Sequence, residues 1–167
     1  MPISRVDRLA SILRTEAATT RRHLERVPDE QFGWRPHAKS SALGQLSAHF
    51  IDCLNFAHAI FREDVTAIDM ATWRPTKVAS LAELLAMFDG ALETALTAMA
   101  THPDRDASGT WQMSVNGMVR ISRDREAAFN DMTLHHLIHH RGQLTVYLRL
   151  LDVPVAPTYG PTADERM

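Results

Sequence analysis

The sequence predicts an all-α protein, a four-helix bundle, and three observations carry that prediction. Four long stretches repeat apolar side chains at helical spacing. Prolines punctuate the joints between them, and no segment offers a convincing ladder of strands. The chain has 167 residues, 45% hydrophobic and 23% charged, the balance of one soluble domain spanning residues 1–167. A chain of this length buries roughly two-thirds of its unfolded surface, so it needs neither a disulfide nor a metal merely to fold.

The first helix is read over Ser4–Val27, where Val6, Leu9, Ala10, Leu13, Ala17 and Leu24 recur at helical spacing until Pro28 stops them. Gly33, Pro36, Phe32 and Trp34 mark the following connection, Pro28–Ser41, as an ordered loop. Ser40 or Ser41 is the expected cap of a second helix, whose stripe runs Leu43, Leu46, Phe50, Cys53, Leu54, Ala57, Ile60 and Phe61. Ser80 and Glu83 form a capping-box signature ahead of a third helix, with Leu81, Leu84, Leu85, Phe88, Leu92, Leu96 and Met99 on one face. Pro103 ends it. The stretch Thr110–Ile121, centred on Asn116-Gly117, suits a small hairpin or an irregular excursion. A fourth helix is expected from about Ser122 to Leu151, after which Pro154, Pro157 and Pro161 enforce an extended tail.

Composition narrows the function. With 18 basic and 20 acidic side chains and a net charge of −2, nothing attracts a polyanion, so nucleic acid is not an expected partner. No window approaches a membrane span, and the charged amino terminus lacks the apolar stretch of a signal peptide. The expected location is the cytoplasm, where the lone Cys53 stays reduced.

Histidine is out of proportion: four of the nine fall between His135 and His140. On a helical wheel started at Leu134, the core leucines Leu137, Leu144, Leu148 and Leu151 cluster near about 300°. His140 falls at about 240° and His136 at about 200°, bordering the core, whereas His135 and His139, at about 100° and 140°, face away. The i, i+4 spacing of His136 and His140 stacks them on one face. His49 lies beside the second helix's stripe and also points inward. Three neutral imidazoles with an open position are the donor set of a catalytic zinc site, and such an ion acidifies a bound water or thiol. Satisfied core or surface histidines are the competing reading.

Neighbouring residues carry paired readings. Arg141 faces the core, so it binds a buried carboxylate or an anionic ligand. Gln143 either supports a ligand imidazole or faces solvent; Asp52, one turn after His49, has the same two readings, with the solvated carboxylate preferred; and Tyr147 either lines a pocket with Trp34 or, the preferred reading, packs with it. Cys53, on an apolar face, is read as core. Gly142 costs about 1 kcal/mol inside a helix, which suggests a close approach by a neighbouring backbone or ligand.

The run His136-Leu137-Ile138-His139-His140-Arg141-Gly142-Gln143-Leu144 resembles the His-x-x-His-His-Arg-Gly-Gln signature of the DinB-like (DinB/YfiT-like) metalloenzymes. The resemblance extends to Phe32-Gly33-Trp34-Arg35-Pro36, to Leu46-Ser47-Ala48-His49 and to the tail from Pro157 to Glu165. It implies a four-helix bundle, usually a homodimer, with a divalent metal held by His49, His136 and His140. Zinc is the foremost metal, with nickel, manganese or iron as alternatives. Some relatives use the metal to hold a low-molecular-weight thiol such as bacillithiol or mycothiol. One mycothiol-dependent branch has Glu where this chain has His136, which speaks against that branch. The expected function is therefore thiol S-transfer or hydrolysis of a small substrate, with a non-catalytic metal-binding or dimerising scaffold as the alternative.

Overall fold

A computed structural model describes residues 3–166. Helix α1 (Arg5–Leu24) starts where the Ser4 hydroxyl accepts the Asp7 amide at 3.1 Å, and it closes on Arg21, Arg22 and His23, which suit the negative end of a helix. Helix α2 (Leu43–Arg62) follows a loop that includes a 3-10 turn, Asp29–Gln31. Its cap is Ala42 rather than either serine. The expected side-chain cap is replaced by two other devices: Gln45 Oε1 accepts the Ala42 amide at 2.9 Å, and the Leu43 and Gly44 amides donate to the carbonyls of Trp34 and Phe32. Gly44 is required by that contact, because a Cβ there would lie 3.0 Å from the Phe32 ring.

Helix α3 (Leu81–Thr101) begins at the predicted Ser80, whose hydroxyl accepts the Glu83 amide at 3.1 Å. The three helices bury one continuous core that includes Leu13, Ala17, Phe50, Leu54, Leu84, Phe88 and Met99, closed by Leu137, Leu144 and Leu148 from the last helix. No helix among the described residues is long and apolar enough to cross a membrane.

The all-α expectation needs correction, because the bundle carries a three-stranded sheet of order β1-β2-β3. Strands β2 (Thr110–Val115) and β3 (Met118–Asp124) form the hairpin that Asn116-Gly117 allows, both turn residues having positive φ, 50° and 77°. Strand β1 (Val65–Ile68) pairs with β2 in parallel across the α3 crossover. Trp111 of β2 is fully buried and donates its Nε1–H to Thr66 Oγ1 at 3.2 Å, which fastens the sheet to the core.

The predicted fourth helix also starts later than Ser122. Strand β3 holds the chain to Asp124, which then caps helix α4 (Arg125–Phe129) by accepting the Ala127 amide at 2.8 Å. A π-helical turn, Asn130–Leu134, joins α4 to helix α5 (His135–Leu150). In this turn the buried Thr133 hydroxyl donates to the Cys53 carbonyl of α2 at 3.2 Å, tying α5 to α2 immediately before the histidines. The tail returns across α1 and α5, where Arg22 and Arg26 donate to the Pro157 and Pro154 carbonyls at 3.0 Å each.

Candidate metal centre

The leucines of α5 face the core, so His136 and His140 sit at the border of the packed interior, half-buried, while His135 and His139 are exposed. Helix α2 places His49 opposite them. The three rings have centroids 4.6 to 5.0 Å apart, and one ligand atom from each lies within 4.8 Å of the others. His49 Nε2 and His136 Nε2 are 3.2 Å apart. The wheel on Leu134 therefore selects the histidines that meet.

The other ring nitrogens are held. His49 Nδ1–H donates to Asp52 Oδ2 at 3.1 Å, and His140 Nδ1–H donates to Gln143 Oε1 at 2.6 Å. These bonds leave the Nε2 atoms of His49 and His140 to face the common point in their unprotonated form, the arrangement in which imidazoles ligate metals.

Burial favours the neutral form of the two α5 histidines. Burial is the main reason that His140 is pulled down from 6.5 to about 4, and the neighbouring His49, His136 and His139 add to it against the opposing Gln143 bond. Burial and then His49 lower His136 in the same way. Asp52 is not the solvated carboxylate expected from sequence. Burial disfavours its charge, but hydrogen bonds from His49 and Thr76 outweigh it and hold the carboxyl below its usual range. The Thr76 hydroxyl donates to Asp52 Oδ1 at 2.5 Å and the Thr76 amide at 3.3 Å, so one carboxylate orients His49 and fastens the strap that leads into α3. Replacing Asp52 with Asn is expected to weaken metal binding about 10- to 100-fold. Titration calorimetry checks this, and an unchanged affinity would exclude the orienting role.

The pH dependence follows from the same shifts. As pH falls from 6.5 towards about 4 the unfolded chain binds a proton at His140 that the folded chain refuses, so stability is fully present above this window and declines through it. His136 and the buried His23, both lowered mainly by burial, act with the same sign. Metal-free protein should therefore show a lower denaturation midpoint at about pH 4.5 than at about pH 7. The difference should shrink in His140→Asn; equal midpoints in the wild type would contradict the shift.

Of the remaining readings, Arg141 meets a buried carboxylate, Glu16, at 2.6 Å. Gln143 takes the supporting role. Tyr147 packs edge-on against Trp34, with centroids 5.7 Å apart, and also lines the cavity beside His49 and His140. Cys53 is buried, and desolvation pushes its thiol up to about 12, which agrees with a core residue. The close approach expected at Gly142 is not found: a Cβ there would meet nothing within 4 Å among the described residues. Nothing in the sequence marks Thr76 and Lys77, because only the folded strap brings them to the cavity. Asp52 had one available signal, its i, i+3 spacing from His49.

Comparison with known proteins agrees with this architecture. A DinB-like protein from Bacillus cereus superposes with a TM-score of 0.73 at 15% identity, covering 95% of this chain and 100% of its own. A DinB-like protein from Bacillus subtilis gives 0.67 at 16% identity, covering 96% and 99%. At that identity the likeness speaks for the fold alone. No curated protein shows a significant sequence match. The model of the DinB family matches residues 3–166, and on that match the chain belongs to the DinB family.

Proposed function

We propose that the protein is a metal-dependent enzyme in which His49, His136 and His140 hold one divalent cation, zinc foremost, and that it activates a thiol for S-transfer rather than a water for hydrolysis. The observation that carries this reading is the convergence of three ligand atoms within 4.8 Å, two of them on rings whose Nδ1 atoms are engaged elsewhere. Three imidazole donors with an open position suit zinc, with nickel, manganese or iron as further candidates. When bound, such an ion lowers the proton affinity of a thiol or water beside it.

The preference for thiol rests on the carboxylate inventory. Asp52 is the one carboxylate among the described residues lining the cavity, and both its oxygens are committed, to His49 and to Thr76. Hydrolysis of an ester or amide needs a group that passes a proton to the leaving oxygen or nitrogen; displacement of a halide by a metal-acidified thiolate expels a leaving group that needs none. His49 is oriented by Asp52 and His140 by Gln143, so this chain's part is to present two fixed donors and a walled cavity.

The test is elemental analysis of untagged protein, with about one metal ion per chain expected, followed by assays of thiols with alkyl-halide or epoxide acceptors. Absence of stoichiometric metal would defeat the proposal. Stoichiometric metal without turnover on any thiol would favour the non-catalytic scaffold.

We also assign a homodimer. Helix α5 presents Val146 and Leu150, 57% and 58% exposed, in line with Gly142 at i, i+4 spacing, a narrow apolar face that another copy of the helix fits. Sedimentation should give twice the chain mass, falling to one in Val146→Glu; a monomeric wild type refutes the assignment. A cytoplasmic setting, where thiols stay reduced, completes the reading.

A further inference from the structure

The cavity beside the histidines has a volume of about 510 Å³, within the range of small-molecule sites, and its polar groups are unevenly committed. Its acceptors are largely in use. Asp52 serves His49 and Thr76, and Gln143 Oε1 serves His140. Its donors are not: the Gln143 amide nitrogen and the hydroxyls of Ser40 and Ser41 line the cavity without a protein acceptor among the described residues. Lys77 follows Thr76 on the strap and lines the same cavity. Among the described residues it has no carboxylate within ion-pair distance. A wall with free donors, one unneutralised cation and no free carboxylate complements an anion.

The kind of anion follows from what is missing. A phosphate is usually cradled by several backbone amides. At the nearby start of α2 the amides of Ala42, Leu43 and Gly44 already donate to Gln45, Trp34 and Phe32. One ammonium with scattered side-chain donors suits a single carboxylate instead.

We propose that Lys77 is the carboxylate-recognising residue of this cavity, and that the substrate class is a small thiol carrying a carboxylate, which meets Lys77 while its sulfur faces the histidine triad. The inference rests on the metal-and-thiol reading above and adds the group recognised at the far end of the molecule. Asp52 links the two ends. It orients His49 directly and, through Thr76, fixes the strap residue next to Lys77, so the triad and the ammonium keep a set relation.

The test loads the untagged protein with cobalt and titrates it with ω-mercaptocarboxylates and with ω-mercaptoalcohols of matched chain length, following thiolate-to-cobalt absorption. The best-fitting carboxylate should bind about five- to tenfold more tightly than its alcohol, the scale of a partly exposed charge-assisted contact. That advantage should vanish in Lys77→Gln and fade at high salt, while affinity for the alcohol stays unchanged. Lys77 is exposed, so the variant should fold as the wild type does. Equal affinity for the two series, or an advantage that survives Lys77→Gln, overturns the carboxylate assignment and leaves the thiol reading standing. Cobalt that binds but responds to neither series overturns both.

Discussion

Replacing His136 with alanine should reduce metal from about one ion per chain to a substoichiometric trace and weaken affinity by more than about a hundredfold. The orienting partners of metal-bound histidines are themselves worth about 10- to 100-fold, and His136 is one of only three proposed donors, so its loss should exceed that range. Its Nε2 lies 3.2 Å from that of His49, and the two other histidines of α5 outside the triad, His135 and His139, are exposed and not among the three whose ligand atoms converge. The fold should survive, since His136 is half-buried and alanine is the better helix former. Two measurements separate site from fold. Far-ultraviolet circular dichroism should be unchanged. Zinc at about a hundred times its dissociation constant should stabilise the wild type by about 2.7 kcal/mol but leave the variant unaffected. His139→Ala should behave as wild type in both. Wild-type metal affinity in His136→Ala would remove the triad from consideration.

That the triad is legible in the sequence follows from one strong local signal. Leu137, Leu144 and Leu148 fix the rotation of α5 about its axis, and all three are fully buried. Once that rotation is known, the four clustered histidines divide into an inward pair and an outward pair without reference to any other element. The π-helical turn does not disturb the division, because it ends at Leu134, where the wheel begins. What the sequence does not disclose depends on contacts far apart along the chain. Strand β1 is four residues long and has no alternation strong enough to stand out, and its partner β2 lies beyond the whole of α3. The hairpin turn at Asn116-Gly117 is readable, but its flanks are short, and only Trp111 sinking into the core shows that it is a sheet and not a surface excursion. The preferred reading of Asp52 fails for the same reason: whether a helical carboxylate is solvated depends on what packs over it, here Thr76, which arrives through the strap after β1. The i, i+3 relation of Asp52 to His49 is the one local trace of that role.

Arg141→Leu should be the most damaging single substitution to stability, lowering the unfolding free energy by about 3 to 5 kcal/mol. Arg141 is 1% exposed and Glu16 9%. The guanidinium meets Glu16 Oε2 at 2.6 Å and also donates to the Glu16 carbonyl at 3.1 Å and to the Tyr159 hydroxyl at 2.7 Å. That hydroxyl in turn donates to Glu16 Oε2 at 2.8 Å, and the Tyr159 ring packs against the guanidinium, 5.2 Å from its centroid. Arg141 is the cation that Glu16 meets in this cluster, and its removal leaves the buried carboxylate with the Tyr159 hydroxyl and no countercharge. The expected loss is the cost of that stranded charge and not the net worth of the pair, since two ions withdrawn from water gain little over an apolar pair of similar volume. The double variant Arg141→Leu/Glu16→Leu should therefore recover most of what the single variant loses. Urea unfolding at neutral pH measures both. A single-variant loss below about 1 kcal/mol, or a double variant no better than the single, would contradict the account. The cluster also joins α1, α5 and the tail one residue beyond His140, so the single variant should bind metal more weakly even where it is still folded. In the double variant affinity should recover with stability if the packed position of α5 is what matters, and should stay low if the tail must be held through the Tyr159 hydroxyl.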